Sequence, residues 1–476
     1  MNEMNYIRGE IHCRYWKQET GAPMPLLVLL SENAGEPKVK PQVFLSEKFQ
    51  QKFPCSMLLV EAGADLNAWE PAKALRSLLF ELEAEQPEVI DGCRMYLIGS
   101  SAAWTIGSRF PRRFAAVVAL GGRGDPHAAR SMKFTPVWAF GSTQPGDRRL
   151  PASPKYTAAA LRSCGSQYVW YTEVPVEKSI WDTAFSSSYE VSTWMFEQNR
   201  RKMFEVTYLR PGVFRIDDYF TSSAYLVCGT EKALLIDTGL GEGDLHALVR
   251  SLTPLPVEVA VTHPHEDHMA NAAGFSKTWL HQHDIEAMDE NRAEMAKVFG
   301  RKLSPAPKLE QLCPLSNGTK INLGGGVIIE AVELGGHTPN SVVFIDRAHE
   351  CVFTGDAIGS GYIALMICSR DQWRQLISHY QDELLRFQKY LPSLQNYAWY
   401  GGHFIQENGC DLNRQEDYLS GSSTYYLPIS EDVVNDMALL CGRLLSGEIP
   451  ESQFLNGPEH YCEFQNAGMI FRITDL

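Results

Sequence analysis

Thr262-His263-Pro264-His265-Glu266-Asp267-His268 places three imidazoles and the Asp267 carboxylate within six consecutive positions. The apolar run Val257 to Val261 leads into it and reads as a strand. His263 and His265 are two residues apart, so in an extended segment both side chains point the same way. Crowding such groups together is costly unless a counter-charge offsets it. A divalent cation supplies that charge, and imidazole nitrogen and carboxylate oxygen are ligands that zinc accepts. No Cys lies in the set, so the site should stay open to water, as catalysis needs.

Further signals follow in chain order. Upstream is Leu235-Ile236-Asp237-Thr238-Gly239. Downstream come Gly335-Gly336-His337-Thr338-Pro339, then Phe353-Thr354-Gly355-Asp356 closing a strand, then Gly401-Gly402-His403. His246, His349, His379 and His460 stand alone and read as ordinary surface or core residues. His281 and His283 follow a short strand and read as packing residues near the cluster.

The chain around the cluster is rich in short strands: Phe204 to Leu209, Val213 to Ile216, Ser223 to Cys228, Ala233 to Ile236, Val327 to Glu333, Val342 to Ile345 and Cys351 to Phe353. Helices are expected over Asp244 to Leu252 and about Gln372 to Tyr390. Residues 1–202 differ. Strands at Leu26 to Leu30, Met57 to Val60, Met95 to Ile98, Ala115 to Leu120 and Val137 to Phe140 alternate with helices at Trp69 to Glu85 and Ala102 to Phe110. That rhythm implies a parallel sheet covered on both faces. A last helix, about Tyr189 to Met203, leads to a boundary that divides the chain into domains 1–202 and 203–476.

Composition narrows the classes. The 476 residues are 44% hydrophobic and 21% charged, enough apolar material for large cores and too much for a disordered chain. The net charge is −14, with +1 in residues 1–200 and −15 in the rest. An acidic protein lacks the positive field for a sequence-independent grip on nucleic acid or anionic lipid. The eleven Cys form no C-x-x-C pair and read as reduced thiols. No secretory leader or membrane span is visible, so a cytoplasmic protein acting on a small molecule is expected, with no nucleic-acid or membrane partner. A homo-oligomer is compatible with this.

With these motifs in hand, residues 204–476 resemble the metallo-β-lactamase-fold hydrolases, nearest in motif set to the glyoxalase II and lactonase-like branch. The resemblance implies an αββα sandwich holding two divalent metal ions, usually zinc, with iron or manganese as alternatives. Carried onto this chain, His263, His265 and His337 would hold the first metal. Asp267, His268 and His403 would hold the second, and Asp356 would bridge them. Asp237 matches the family's strand-end Asp, which supports the ligand loop. Asn340 stands where the family pattern usually has Gly, and Gly401 where it commonly has Pro; both adjoin ligands. The implied activity is cleavage of an ester, thioester, lactone or related bond by a metal-bridged hydroxide. Asp267 would orient that hydroxide and pass a proton to the leaving group. Tyr362 and Met366 are candidate pocket residues.

Residues 8–200 resemble α/β-hydrolase esterases of the phospholipase/carboxylesterase type. Gly99-Ser100-Ser101-Ala102-Ala103 lies between a strand and a helix, where such enzymes carry G-x-S-x-G, with Ala103 replacing the last Gly. Asp147 corresponds to the acid in this resemblance, but Glu177 stands where the base His is expected. After the first core strand the chain reads Glu32-Asn33, not the oxyanion loop. Without a base, Ser101 keeps its proton, so the implied domain is degenerate. Two other readings stay open: an iron-dependent oxidoreductase on the same fold, and an active serine esterase or binding function of the first domain.

Overall fold

A computed structural model describes residues 2–18, 21–31, 40–62, 65–143, 153–186, 188, 190–219, 222–298, 303–359, 363–403, 429–455, 457 and 459–474. The described residues form two compact units that divide between Arg200 and Arg201. Among them, no helix is long and apolar enough to cross a membrane.

The first unit is built on an eight-stranded sheet. Its spatial order is Asn2–Arg8, Ile11–Lys17, Ser56–Ala62, Met24–Ser31, Ile90–Gly99, Ala116–Leu120, Val137–Ser142 and Val169–Val174. Ile11–Lys17 runs antiparallel to both neighbours, and the remaining pairs are parallel. The continuous apolar run in Met24–Ser31 reflects burial on two faces. Leu26, Val28 and Leu30 enter one core, and Leu27 and Leu29 enter the other. Helix Trp69–Glu85 covers the first core with Ala72, Leu75, Leu78, Leu79 and Leu82, one stripe at helical spacing.

The second unit stacks two sheets. The larger has the order Leu312–Leu315, Thr278–His281, Val257–Ala260, Ala233–Ile236, Ser223–Cys228, Val213–Asp218 and Phe204–Arg210. Its first four strands are mutually parallel and the others antiparallel. The second sheet runs Lys320–Gly324, Val327–Glu333, Val342–Asp346, Cys351–Gly355 and Ala398–Gly401. Period-two alternation assigns the layers. Leu234 and Ile236 pack with Val342, Phe344 and Phe353 between the sheets. Ala233 and Leu235 face the helix Leu245–Leu252 through Leu245 and Val249. Val343 and Ile345 face the helices Trp373–Phe387 and Glu431–Ser446. The layers are therefore helix, sheet, sheet, helix. A third sheet of Ile363–Cys368, Ala467–Ile473 and Glu459–Phe464 belongs to the last core.

Several expectations need correction. The helix expected over about 189–203 is shorter: Glu190–Glu197 is helical and a separate 3-10 turn spans Arg200–Lys202. Met366 is wholly buried among core side chains of the Trp373–Phe387 layer, where it packs the core. Tyr362, Asp147, Glu32 and Asn33 lie outside the described residues.

Candidate metal centre

Turns that leave strand ends of the two stacked sheets supply the cluster. Ala233–Ile236 delivers Asp237 and Val257–Ala260 delivers Thr262 to His268. Val327–Glu333 precedes His337, Cys351–Gly355 precedes Asp356, and Ala398–Gly401 precedes His403. Loops beyond strand carboxyl ends are free of the ladder and can aim side chains at a common point. His403 is fixed further by a bridge to Ser222, and Ser223 N donates to Gly402 O at 2.7 Å.

Three groups of potential ligand atoms converge, each within 4.8 Å: His263, His265 and His337; His263, His268 and Asp356; and Asp267, His268 and His403. His265 Nδ1 lies 3.0 Å from both His263 Nε2 and His337 Nε2. Asp356 Oδ2 is 3.3 Å from His403 Nε2, 3.6 Å from His268 Nε2 and 3.7 Å from His337 Nε2. Asp267 Oδ2 is 3.4 Å from His403 Nε2. Ligands bonded tetrahedrally to zinc at ~2.0–2.1 Å lie about 3.3 Å apart, so these spacings suit a cation between the atoms.

Hydrogen bonding on the far side of the rings argues the same way. Asp237 Oδ2 accepts from Thr262 Oγ1 at 2.8 Å, which leaves that hydroxyl oxygen to accept from His263 Nδ1 at 3.1 Å. His263 Nε2 is thereby left with its lone pair. His337 Nδ1 donates to Leu365 O at 2.7 Å, so its Nε2 is also a lone-pair atom. His268 Nδ1 donates to Asp237 Oδ2 at 3.0 Å, while His268 Nε2 and Asp267 Oδ1 are buried without a hydrogen-bond partner. Buried polar atoms normally find partners. Converging lone pairs and orphaned atoms are what a divalent metal would satisfy, and the residues present fit one.

Charge divides the cluster in two. Burial, with the neighbouring imidazoles, pushes His265 down to about 3 and holds His263 well below the usual range. Burial also lowers His337. On the other side burial works against protonation of His403, but Asp356 and Asp267 outweigh it and raise the ring to about 10. Burial opposes protonation of His268 as well, yet Asp267, Asp356 and Asp237 raise it well above its usual value. Burial raises Asp267, but His268 and His403 more than offset it and hold the carboxyl down at about 2. One side is thus a neutral three-imidazole set, the other a carboxylate-rich set.

Asp218, which the sequence motifs did not single out, anchors the loop that follows Asp237. It closes strand Val213–Asp218, and its Oδ2 accepts from Leu240 N at 2.6 Å and Gly241 N at 2.9 Å. Asn340 Nδ2 donates to Asp284 Oδ1 at 2.8 Å, and His281 Nε2 pairs with Glu333 Oε1 at 2.9 Å. In the first unit, Ser101 opens the helix Ser101–Arg109, and its Oγ accepts from Arg123 N at 2.9 Å. The non-Gly residues with positive φ among those described are Asp237, Glu350, Asn396 and Gln465. Ser101 is outside that set, and Ser100 before it holds φ −103° and ψ −114°.

A family model described as the metallo-beta-lactamase superfamily matches residues 217–396. The acyl-coenzyme A thioesterase MBLAC2 of Gallus gallus is 25% identical over 181 residues, covering 32% of this chain and 65% of that protein. The hydroxyacylglutathione hydrolase GloC of Haemophilus influenzae is 27% identical over 178 residues, covering 35% of this chain and 80% of that protein. The match to the avian protein thus spans just under two thirds of its length. A solved thermostable esterase is 22% identical, covers 42% of this chain and 63% of that one, and superposes with a TM-score of only 0.36. Residues 217–396 carry a metallo-beta-lactamase domain.

Proposed function

We propose that the second unit is a metal-dependent hydrolase that holds two divalent cations and cleaves a thioester, ester or lactone bond of a small molecule. The observation that carries this is the convergence of three largely buried His/Asp groups, within which His268 Nε2 and Asp267 Oδ1 have no hydrogen-bond partner. In this reading His263, His265 and His337 hold one cation, Asp267, His268 and His403 the other, and Asp356 faces both. Zinc is the first candidate, because the donors are imidazole and carboxylate only; iron and manganese accept the same set. Bound cations would lower the pKa of water and polarise the scissile carbonyl.

The chain's own groups do the rest. Asp237 and Thr262 set the tautomers of His268 and His263, so both present Nε2 inward. Asp267 would orient the attacking water and pass a proton to the leaving group. Names of the similar proteins, an acyl-coenzyme A thioesterase and a hydroxyacylglutathione hydrolase, put thioesters first among the bonds to test.

The first unit reads as an α/β-hydrolase-like domain without serine-hydrolase activity. Ser101 does not hold a positive φ, and position 177 is Glu. The test is a substrate panel of thioesters, lactones, carboxylesters and phosphodiesters, with metal content measured in parallel. Turnover of a thioester that disappears on chelation and returns with zinc is expected. Undiminished turnover in metal-stripped protein, or fluorophosphonate labelling of Ser101, would overturn the respective assignment.

A further inference from the structure

The ligand helix Glu266–Met269 is a single turn, too short to hold its own orientation. Asp237 grips it from one side through His268. On another side its first residue, Glu266, is wholly buried and pairs with the wholly buried Arg292 of the helix Asp284–Val298. Arg292 Nε donates to Glu266 Oε2 at 2.7 Å, and its Nη2 donates to Ser304 O at 2.6 Å. Ser304 N donates to Glu266 Oε1 at 2.6 Å, so each carboxylate oxygen is held from a different segment.

We propose that Arg292 and Glu266 are positioning residues that tie the helix Asp284–Val298 and the segment at Ser304 to the ligand turn, and so set the geometry of His265 and Asp267. This rests on the metal-centre reading above. Glu266 lies between those two ligands in sequence and turns its side chain into Arg292. A planar guanidinium fixes direction as well as distance, which a point charge does not. Buried ion pairs contribute little net stability compared with apolar residues of similar size. Their placement beside a ligand turn is better explained by orientation than by stability. The charged sequence Asp289-Glu290-Asn291-Arg292 gives no hint of this, because such a run normally faces water.

Full-length E266M/R292M removes both charges at similar volume, and R292K keeps the charge but loses the fork. Zinc affinity is read by chelator competition and ligand geometry by the visible spectrum of the cobalt-loaded protein, beside the thermal midpoint of each metal-free protein. The expected result is a metal-free midpoint near wild type for R292K, with zinc bound roughly 10–100-fold more weakly and an altered cobalt spectrum. The double variant should fold and bind at least as weakly. If the double variant fails to fold, R292K alone decides. Variants that fold and bind zinc as wild type does, with an unchanged spectrum, would overturn the proposal while leaving the metal centre standing. Wild-type protein that takes up no metal would instead remove the reading beneath it.

Discussion

Asp237 holds φ at +59° and brings its Oδ2 to 3.0 Å from His268 Nδ1. A left-handed backbone is unfavourable for a residue with a Cβ, although Asp and Asn tolerate it best. The strain is offset by what the position accomplishes. The carboxylate accepts from Thr262 N at 2.8 Å, from Thr262 Oγ1 at 2.8 Å and from His268, so one side chain orients ligands from both halves of the cluster. D237N preserves the size and the backbone tolerance but brings an NH2 group among three donors. We expect D237N to fold and to bind zinc about 10–100-fold more weakly, by chelator competition. Wild-type affinity in D237N would show that Asp237 only shapes the turn.

The division into a three-imidazole side and a carboxylate side predicts separable losses. H337A removes an atom 3.0 Å from His265 Nδ1, and H403A removes one 3.4 Å from Asp267 Oδ2. Each should lower the metal content from about two equivalents per chain to about one, as a two-cation site requires. D356A, whose Oδ2 faces His268, His337 and His403, should lower both. Elemental analysis of purified variants reads this directly. Two full equivalents in H337A would break the assignment of the first set.

At Gly402 the backbone passes close against the ligands. A Cβ built there would stand 2.3 Å from Asp356 Oδ1 and 2.7 Å from His268 Cε1. The backbone cannot retreat easily, because Gly402 N donates to Gly355 O at 3.0 Å and Gly402 O accepts from Ser223 N at 2.7 Å. G402A should therefore displace the ligands, costing ~1–3 kcal/mol of stability and most of the bound metal. G274A is the control, since a Cβ there meets nothing within 4 Å. Equal metal content in the two variants would contradict the crowding argument.

The cluster was legible because its chemistry is dense in sequence. Three imidazoles in six residues have few structural uses, and the strand before them fixes their direction. Strands with uninterrupted apolar runs, such as Met24–Ser31 and Val342–Asp346, were legible for the same reason: both faces are buried. What escaped depends on distant partners. In strand Ile11–Lys17 the apolar Ile11, Cys13 and Tyr15 alternate with His12 and Arg14, a period-two signal fainter than an uninterrupted apolar run. The helix Glu431–Ser446 follows a long polar stretch and gains its place from the Trp373–Phe387 layer. Arg292 is invisible because its carboxylate partner lies 26 residues away.

Buried thiols give a pH dependence whose sign can be worked out. Burial pushes Cys55 up to about 12, and a hydrogen bond from Gln50 Nε2 at 3.3 Å offsets this only in part. Burial likewise raises Cys13, Cys351 and Cys462 to about 12. An unfolded thiol ionises near ~8.5. Above that pH the unfolded chain sheds protons that the native chain keeps, so stability is intact below about 8.5 and declines as pH rises toward 12. For Cys55 alone the loss between pH 7.5 and pH 10 should be roughly 2 kcal/mol. Urea melts of wild type and C55A at both pH values isolate it: C55A starts lower, from its lost packing, but should decline less steeply. Parallel declines would mean that the Cys55 thiol ionises alike in the folded and unfolded chain, and that its burial is not maintained in solution.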